Sequence, residues 1–208
     1  MKTRLLTISL ILLLSAPLVI AQTAEKGKMS FGILGGINFQ NLNGKLSGGD
    51  KLANDMLIAF HGGVNVQIPL APEFYFQPGL MFAVKGAKNT TTIFGAEFTD
   101  ETKINYIEMP LNLVYKGALG KGFVMIGFGP YLAYGISGKQ IIAGSSFTFK
   151  RGTDYDAFDA GGNIFAGYEM ASGIFLQLDT QFGMVNINTV DKPTTKNTGF
   201  GLSLGYRF

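Results

Sequence analysis

The sequence has 208 residues, enough for one domain or two small ones, and 29 of them are glycine and 18 are phenylalanine. It contains no cysteine and a single histidine, His61, which excludes disulfides, thiolate metal sites and multi-histidine zinc sites. Removing the two basic residues of the N-terminal segment described next lowers the formal net charge from +3 to +1, which leaves no electrostatic footprint for nucleic acid.

The N-terminus has the pattern of a secretory signal peptide. A basic start precedes an apolar run, and Val19 and Ala21 occupy the −3 and −1 positions of a cleavage site. An uncleaved membrane anchor is the alternative, but Pro17 interrupts the run, which is also shorter than the ~20 residues of a spanning helix. We therefore expect a signal peptide over 1–21 and an exported mature domain over 22–208, without a lipid anchor because no cysteine is present.

The mature chain shows the two-residue periodicity of β-strands, and no later segment has about 18 consecutive apolar residues. The last predicted strand is the clearest, since Leu202, Leu204 and Tyr206 alternate with Ser203 and Gly205. The pattern predicts eight strands: Lys28–Asn41, Leu57–Pro69, Glu73–Lys85, Thr102–Lys116, Gly122–Ser137, Phe158–Met170, Ile174–Ile187 and Asn197–Phe208.

The connections between these strands alternate between long and short. The long ones cover 42–56, 86–101, 138–157 and 188–196, and the short ones cover 70–72, 117–121 and 171–173. An up-and-down barrel in the bacterial outer membrane has this rhythm, with short periplasmic turns and long extracellular loops. A soluble sandwich or lipocalin-like barrel also alternates, but these strands are long enough to cross a bilayer and small residues crowd their polar face. The sequence therefore predicts an all-β fold, an eight-stranded antiparallel up-and-down transmembrane β-barrel in the outer membrane.

Several charged or titratable side chains are predicted to point into the barrel lumen. This predicted polar network consists of His61, Glu73, Glu108, Glu169, Asp179 and Arg207. A narrow ion channel is one interpretation of the network. A barrel of eight strands is only just wide enough for its own side chains, and buried charges need partners. We therefore favour a lumen filled with paired side chains.

His61 also raises the alternative of a lipid-modifying outer-membrane enzyme, because histidine can act as a general base near neutral pH. No motif supplies a partner serine, so we expect a hydrogen-bonded lumen residue, no enzyme activity and no cofactor. The acidic residues Asp154, Asp156 and Asp159 lack the alternating spacing and central glycine of a calcium loop, so no metal site is expected.

The long loops are the remaining candidates for contact with other molecules. The second loop contains Ile93, Phe94 and Phe98, which either contact an extracellular protein or glycan or pack on one another. Alternation from Ile141 to Lys150 predicts a hairpin that extends beyond the membrane. Charges of both signs in that loop indicate no polyanionic partner. We expect a monomer with a structural, adhesive or accessory role.

Short motifs follow one another through the predicted strands. They are Phe31-Gly32 with Gly35-Gly36-Ile37-Asn38, Phe76-Gln77-Pro78-Gly79-Leu80, Tyr106-Ile107-Glu108-Met109-Pro110-Leu111, Gly129-Pro130-Tyr131-Leu132, Gly167-Tyr168-Glu169 and Gly205-Tyr206-Arg207-Phe208. In order and spacing, they resemble the PorT-like outer-membrane β-barrel family of Bacteroidetes over essentially the whole mature chain. Gly79 departs from the family pattern, in which an acidic residue is expected.

The resemblance implies an eight-stranded barrel surrounded by outer-membrane lipids. It also implies that Tyr206 and Phe208 form a C-terminal signal read by the outer-membrane insertion machinery. One namesake member of the family is tied to protein secretion across the outer membrane. An accessory role in secretion is therefore a further alternative, although likeness of fold alone does not transfer a function.

Overall fold

The computed structural model describes residues 28–45, 48–94, 96–142, 144–149, 154–189 and 194–208. The signal peptide predicted over 1–21 lies outside these residues. Within the described ranges there is no helix with the length and hydropathy needed to cross a membrane. The described chain forms nine strands: β1 (Ser30–Lys45), β2 (Leu57–Ala71), β3 (Phe74–Ile93), β4 (Ala96–Leu119), β5 (Gly122–Ile142), β6 (Ser145–Phe149), β7 (Phe158–Met170), β8 (Ile174–Gly183) and β9 (Thr194–Arg207).

All of these strands except β6 close into a barrel. Each pairs antiparallel with its neighbours along the chain, and β5 pairs with β4 on one side and β7 on the other. The first and last strands complete the ring, with pairs that run from Gly32 and Arg207 to Lys45 and Thr194. A closed ladder leaves no unpaired strand edge facing lipid, which allows β-structure to cross a bilayer. The predicted eight-stranded antiparallel barrel is confirmed.

The prediction of a long loop over 86–101 is wrong, because most of these residues belong to strands β3 and β4. β3 and β4 remain paired out to Ile93 and Ala96, while β6 pairs with the end of β5 as the predicted hairpin. Both faces of these extensions meet water, so they lack the amphipathic alternation that marks a strand in lipid. We call this region the outer sheet: residues 88–93 of β3, 96–103 of β4, 139–142 of β5, and β6.

Three prolines lie inside strands of the barrel, Pro78, Pro110 and Pro130. Each one is paired with the strand on one side, while the ladder on its other side is interrupted at that level. Proline has no backbone N–H to donate, so a site beside a broken ladder accommodates it without a further lost hydrogen bond. The three interruptions fall in successive pairings, β2 with β3, β3 with β4, and β4 with β5.

The two faces of the barrel differ sharply in polarity. The outer face exposes apolar side chains around the ring, including Ile33, Phe60, Leu178 and Leu204. Aromatic rings pair between neighbouring strands on this face, for example Phe60 with Phe82 at 5.8 Å between centroids. An apolar outer band is what contact with lipid requires. The polar residues are therefore directed inward, where they form the site described next.

Candidate functional site

The lumen is closed by side chains near both of its ends. At the end with the long connections lies the outer apolar layer: Leu42, Ala87, Ile104, Tyr106, Tyr131, Ala133, Tyr155 and Ile187. Near the short turns lies the inner apolar layer: Val114, Met125, Phe165 and Phe175, with Leu34 and Tyr75 packed against them. Backbone hydrogen bonds hold the loops that supply Tyr155 and Ile187 in place, including Asp156 N to Ile187 O at 2.8 Å. The two layers divide the interior into separate polar compartments.

A buried ion cluster around Lys85 lies against the outer apolar layer. The Lys85 ammonium is 2.6 Å from Glu108 Oε2 and 3.7 Å from Asp159 Oδ2, and its side chain has no exposed surface. It also lies 4.1 Å from the centroid of the Tyr131 ring. Asp159 accepts hydrogen bonds from the Tyr131 hydroxyl at 3.2 Å and the Asn197 amide at 2.9 Å. These contacts compensate charges that are shielded from water.

A second cluster, which we call the periplasmic cluster, surrounds Arg207 at the end with the short turns, which face the periplasm in barrels of this type. Its guanidinium donates from Nε to Glu169 Oε2 at 2.9 Å and from Nη1 to Asn65 Oδ1 at 3.0 Å. The other Glu169 oxygen lies 2.6 Å from the Lys116 ammonium. The Arg207 guanidinium also lies 5.3 Å from the centroid of the Phe175 ring. One carboxylate thus links two basic side chains that come from β4 and β9.

Between the two clusters lies a polar cavity of about 70 Å³, which we call the central chamber. Its wall includes Asn38, Gln40, His61, Asn112, Asn163 and Asp179. Water molecules fit a polar cavity of this size. The chamber lies between the two apolar layers, and a small polar ligand has room in it.

His61 makes its contact in this chamber. Its Nε2 lies 2.7 Å from Ser203 Oγ, and Asp179 lines the same chamber. In a hydrolytic triad the histidine accepts the serine proton and the acid contacts the histidine. The residue types match a triad, but among the described residues no hydrogen bond joins Asp179 to His61, and all three side chains face the chamber instead of the lipid.

The structure brings most of the predicted polar network into the lumen. His61 and Asp179 line the chamber with Glu108, while Glu169 and Arg207 join the periplasmic cluster. The prediction that Glu73 points into the lumen is wrong, because this residue is exposed in the turn between β2 and β3, with φ of 65°. The alternation would direct residue 73 inward only if it belonged to the strand, but β3 begins one residue later, at Phe74.

Four further lumen residues lie outside the predicted polar network: Lys85, Lys116, Asp159 and Ser203, of which the alternation already places Ser203 on the polar face of its strand. Each has the same strand parity as a predicted lumen residue of its own strand, so the alternation could have found them. Three of them lie at or near the ends of predicted strands, where a charged side chain is ordinarily assigned to the interface. The predicted C-terminal signal, Tyr206 and Phe208, lies on the outer face, with its rings 4.9 Å apart.

A closed antiparallel ring with an apolar outer face and a filled polar interior defines a membrane-spanning barrel of the bacterial outer-membrane type. The model of one family, described as outer membrane protein beta-barrel domain, matches residues 20–189. The chain belongs to this family, and its place is the outer membrane.

Several solved structures are similar to this chain at low sequence identity. Neisserial surface protein A (NspA) is 11% identical, with 88% of this chain and 100% of that chain covered and a TM-score of 0.47. Ail, the attachment invasion locus protein of Yersinia pestis, is 12% identical, with coverages of 88% and 100% and a TM-score of 0.41. OprG from Pseudomonas aeruginosa is 11% identical, with coverages of 89% and 98% and a TM-score of 0.45. No curated protein sequence matches the chain.

Proposed function

We propose that this protein is a non-conducting outer-membrane barrel that presents its outer sheet as a contact surface for an extracellular protein. The observation that carries the proposal is the combination of a lumen closed at two levels with strands that continue well past the barrel. The barrel anchors the sheet, and the sheet makes the contact.

The filled lumen supports the non-conducting part of the proposal. The rings of Phe165 and Phe175 lie in the inner apolar layer and are at most 2% exposed. Hydrated ions would have to pass this layer and also the outer one, where Ile104 is equally buried. Desolvating an ion at an apolar constriction is costly, and dewetted constrictions block conduction.

The outer sheet supports the contact part of the proposal. Phe98 and Phe147 are exposed in this sheet, and Phe94 is exposed in the turn that joins β3 to β4. Among the described residues β6 pairs with β5 alone, so its other backbone edge is available. A free edge strand next to exposed aromatic side chains is suited to adding a strand from another protein. This feature favours a protein partner over a glycan.

Conductance in planar lipid bilayers tests the first part. We expect the refolded barrel to insert without discrete current steps, with a large porin as the positive control. Stable single-channel openings from the purified protein would refute the closed lumen and favour the narrow channel.

Adhesion of cells tests the second part. Residues 89–100 are replaced by an Asn-Gly turn, and the matched control shortens the β1–β2 connection at 48–50 instead. We expect only the first variant to reduce retention of cells on surfaces coated with fibronectin, collagen or laminin. Both variants should still shift on a detergent gel after boiling, which shows a folded barrel. Equal retention by all three proteins on every surface would refute the contact role.

Two finer assignments belong to the same proposal. The order of the short motifs supports placement in the PorT-like branch, with an accessory role in secretion as the alternative function. The basic, apolar and small-residue pattern supports cleavage of a signal peptide after Ala21. Sequencing the N-terminus of the protein from outer membranes should then read from Gln22, and a protein that retains Met1 would refute the cleavage.

A further inference from the structure

Three amide oxygens in the wall of the central chamber have no hydrogen-bond partner among the described residues. They are Asn38 Oδ1, Gln40 Oε1 and Asn112 Oδ1, and none of these side chains is more than 5% exposed. The Asn38 amide nitrogen donates to Val84 O at 2.9 Å, which fixes the oxygen as the free end. Buried acceptors without donors are costly. Three of them around one cavity indicate an occupant with positive charge or with donors.

The charges of the lumen favour a positive occupant. In the described lumen the carboxylates are Glu108, Asp159, Glu169 and Asp179, and the basic side chains are Lys85, Lys116 and Arg207. With His61 neutral, one negative charge is left uncompensated. The salt bridges engage every one of these groups except Asp179, which forms no ion pair within the described ranges. The excess charge is therefore located at Asp179, on the chamber wall.

The register of the strands brings Asp179 close to two of the residues with free oxygens, Asn38 and Gln40, while Asn112 lines the same chamber from β4. Asp179 and Asn38 are the partners of Gly201 on its two sides, in β8 and β1. A Cβ atom at Gly201 would lie 3.0 Å from both Asp179 carboxylate oxygens, so the carboxylate occupies the space that glycine leaves. Gln40 flanks the next inward glycine of β9, Gly199, in the same way.

We propose that the central chamber binds one monovalent cation, such as Na⁺ or K⁺. Asp179 is the charged ligand, and the amide oxygens of Asn38, Gln40 and Asn112 are neutral ligands. Carboxylate and amide oxygens are the ligands of hard cations, and carbonyl oxygens can replace the hydration shell of K⁺. Among the described residues no three His, Asp or Glu side chains converge, as a transition-metal site would require. One positive charge balances the lumen.

The position of the chamber gives this ion a structural role. The outer and inner apolar layers lie on either side of it, so the ion is enclosed when the barrel folds. A ligand that binds only the folded state stabilises it in proportion to the logarithm of its concentration. The chamber has room for the ion and a few water molecules, which complete its coordination.

Refolding in different salts tests the proposal. The full chain is refolded from urea into detergent micelles in choline chloride, NaCl or KCl at equal total salt, and unfolding is followed by the mobility shift on heating. We expect the unfolding temperature to rise by about 5 °C over a hundredfold increase in Na⁺ or K⁺. Native mass spectrometry after exchange into ammonium acetate should show one retained Na⁺ or K⁺ per barrel.

Two variants and one control assign the effect to the chamber. Asp179→Asn should abolish both the salt response and the retained ion, whereas Asp50→Asn, an equal charge change on an exposed residue, should keep both. Asn112→Leu removes a neutral ligand without changing charge and should weaken the response, which covers the case in which Asp179→Asn does not fold.

An unfolding temperature that is equal in all three salts, together with the mass of the bare chain, would overturn the proposal. The excess charge would then be balanced by a proton on His61 or Asp179, with water in the chamber. With CaCl₂ as a fourth salt, a response to Ca²⁺ without one to Na⁺ or K⁺ would overturn the monovalent assignment.

Discussion

Lys85 Nζ lies 2.6 Å from Glu108 Oε2, and the two side chains are 0% and 4% exposed. A second lysine–glutamate pair, Lys103 with Glu101, is as close at 2.5 Å but lies in the outer sheet with both side chains 27% exposed. The two pairs share residue types and distance and differ in access to water. They therefore separate the effect of burial from the effect of pairing.

Replacing Lys85 by methionine should destabilise the barrel by about 3–5 kcal/mol, because Glu108 and Asp159 would remain buried without their cation. Lys103→Met should cost at most about 1 kcal/mol, since water screens the exposed pair. Urea unfolding of the barrel in lipid vesicles measures both. Equal costs for the two substitutions would show that the lumen pair is solvated.

Gly127 is predicted to be intolerant of any side chain. A Cβ atom there would lie 2.2 Å from Phe165 Cε1, because the aromatic ring lies across the glycine inside the barrel. Gly127→Ala should cost about 1–3 kcal/mol through overpacking. Gly62→Ala is the control, since its Cβ would meet nothing closer than 3.5 Å. Combining Gly127→Ala with Phe165→Leu should cost less than the sum of the single changes, and strict additivity would refute the contact.

Arg207→Lys keeps the positive charge of the periplasmic cluster and removes the fork of donors. Lysine cannot reach Glu169 and Asn65 with two donors of fixed geometry, so we expect a loss of about 1–3 kcal/mol. Lys116→Arg is the control, because Lys116 bonds Glu169 through a single ammonium. If Arg207→Lys lowers the folded yield but leaves the unfolding midpoint unchanged, its role lies in the C-terminal insertion signal instead.

His61→Ala and Ser203→Ala test the lipid-modifying enzyme directly. Since His61 and Ser203 both face the chamber and not the lipid, we expect unchanged lipid composition of the envelope in both variants and only a modest loss of stability. Ser137→Ala is the control, because it also removes a hydroxyl with a hydrogen bond, from Asn105 at 2.8 Å, but in an exposed position. A specific lipid species lost in both lumen variants, with the barrel still folded, would establish the enzyme.

Much of the fold can be predicted from the sequence because lipid imposes a simple rule. Where a strand has lipid on one side and the lumen on the other, apolar and polar residues must alternate, as Leu202 and Ser203 do. The rule fails where the environment is the same on both faces, which is why the sequence predicts a loop over 86–101 where β3 and β4 continue. It also fails at a strand end, where Glu73 continues the alternation but lies in a turn.

The polar site could be predicted only as a set of inward-facing residues. Parity identifies Glu108 and Asp179 as lumen residues, and it would have identified Lys85 had the alternation been followed to the end of the strand. It does not say which groups meet. The contacts depend on the register with which the ring closes. A shift of that register by two residues would leave every side chain on the same face of the sheet but would change every contact across the lumen.

By itself, the sequence determined that this chain forms strands with one apolar and one polar face, in the number and rhythm of a small outer-membrane barrel. The tertiary structure alone decided that His61 meets Ser203, 142 residues away, and that Arg207 shares Glu169 with Lys116. The physical reason is that the side of a strand to which a side chain points is a local property of that strand. Which side chains meet across the lumen is set by the closure of the whole ring.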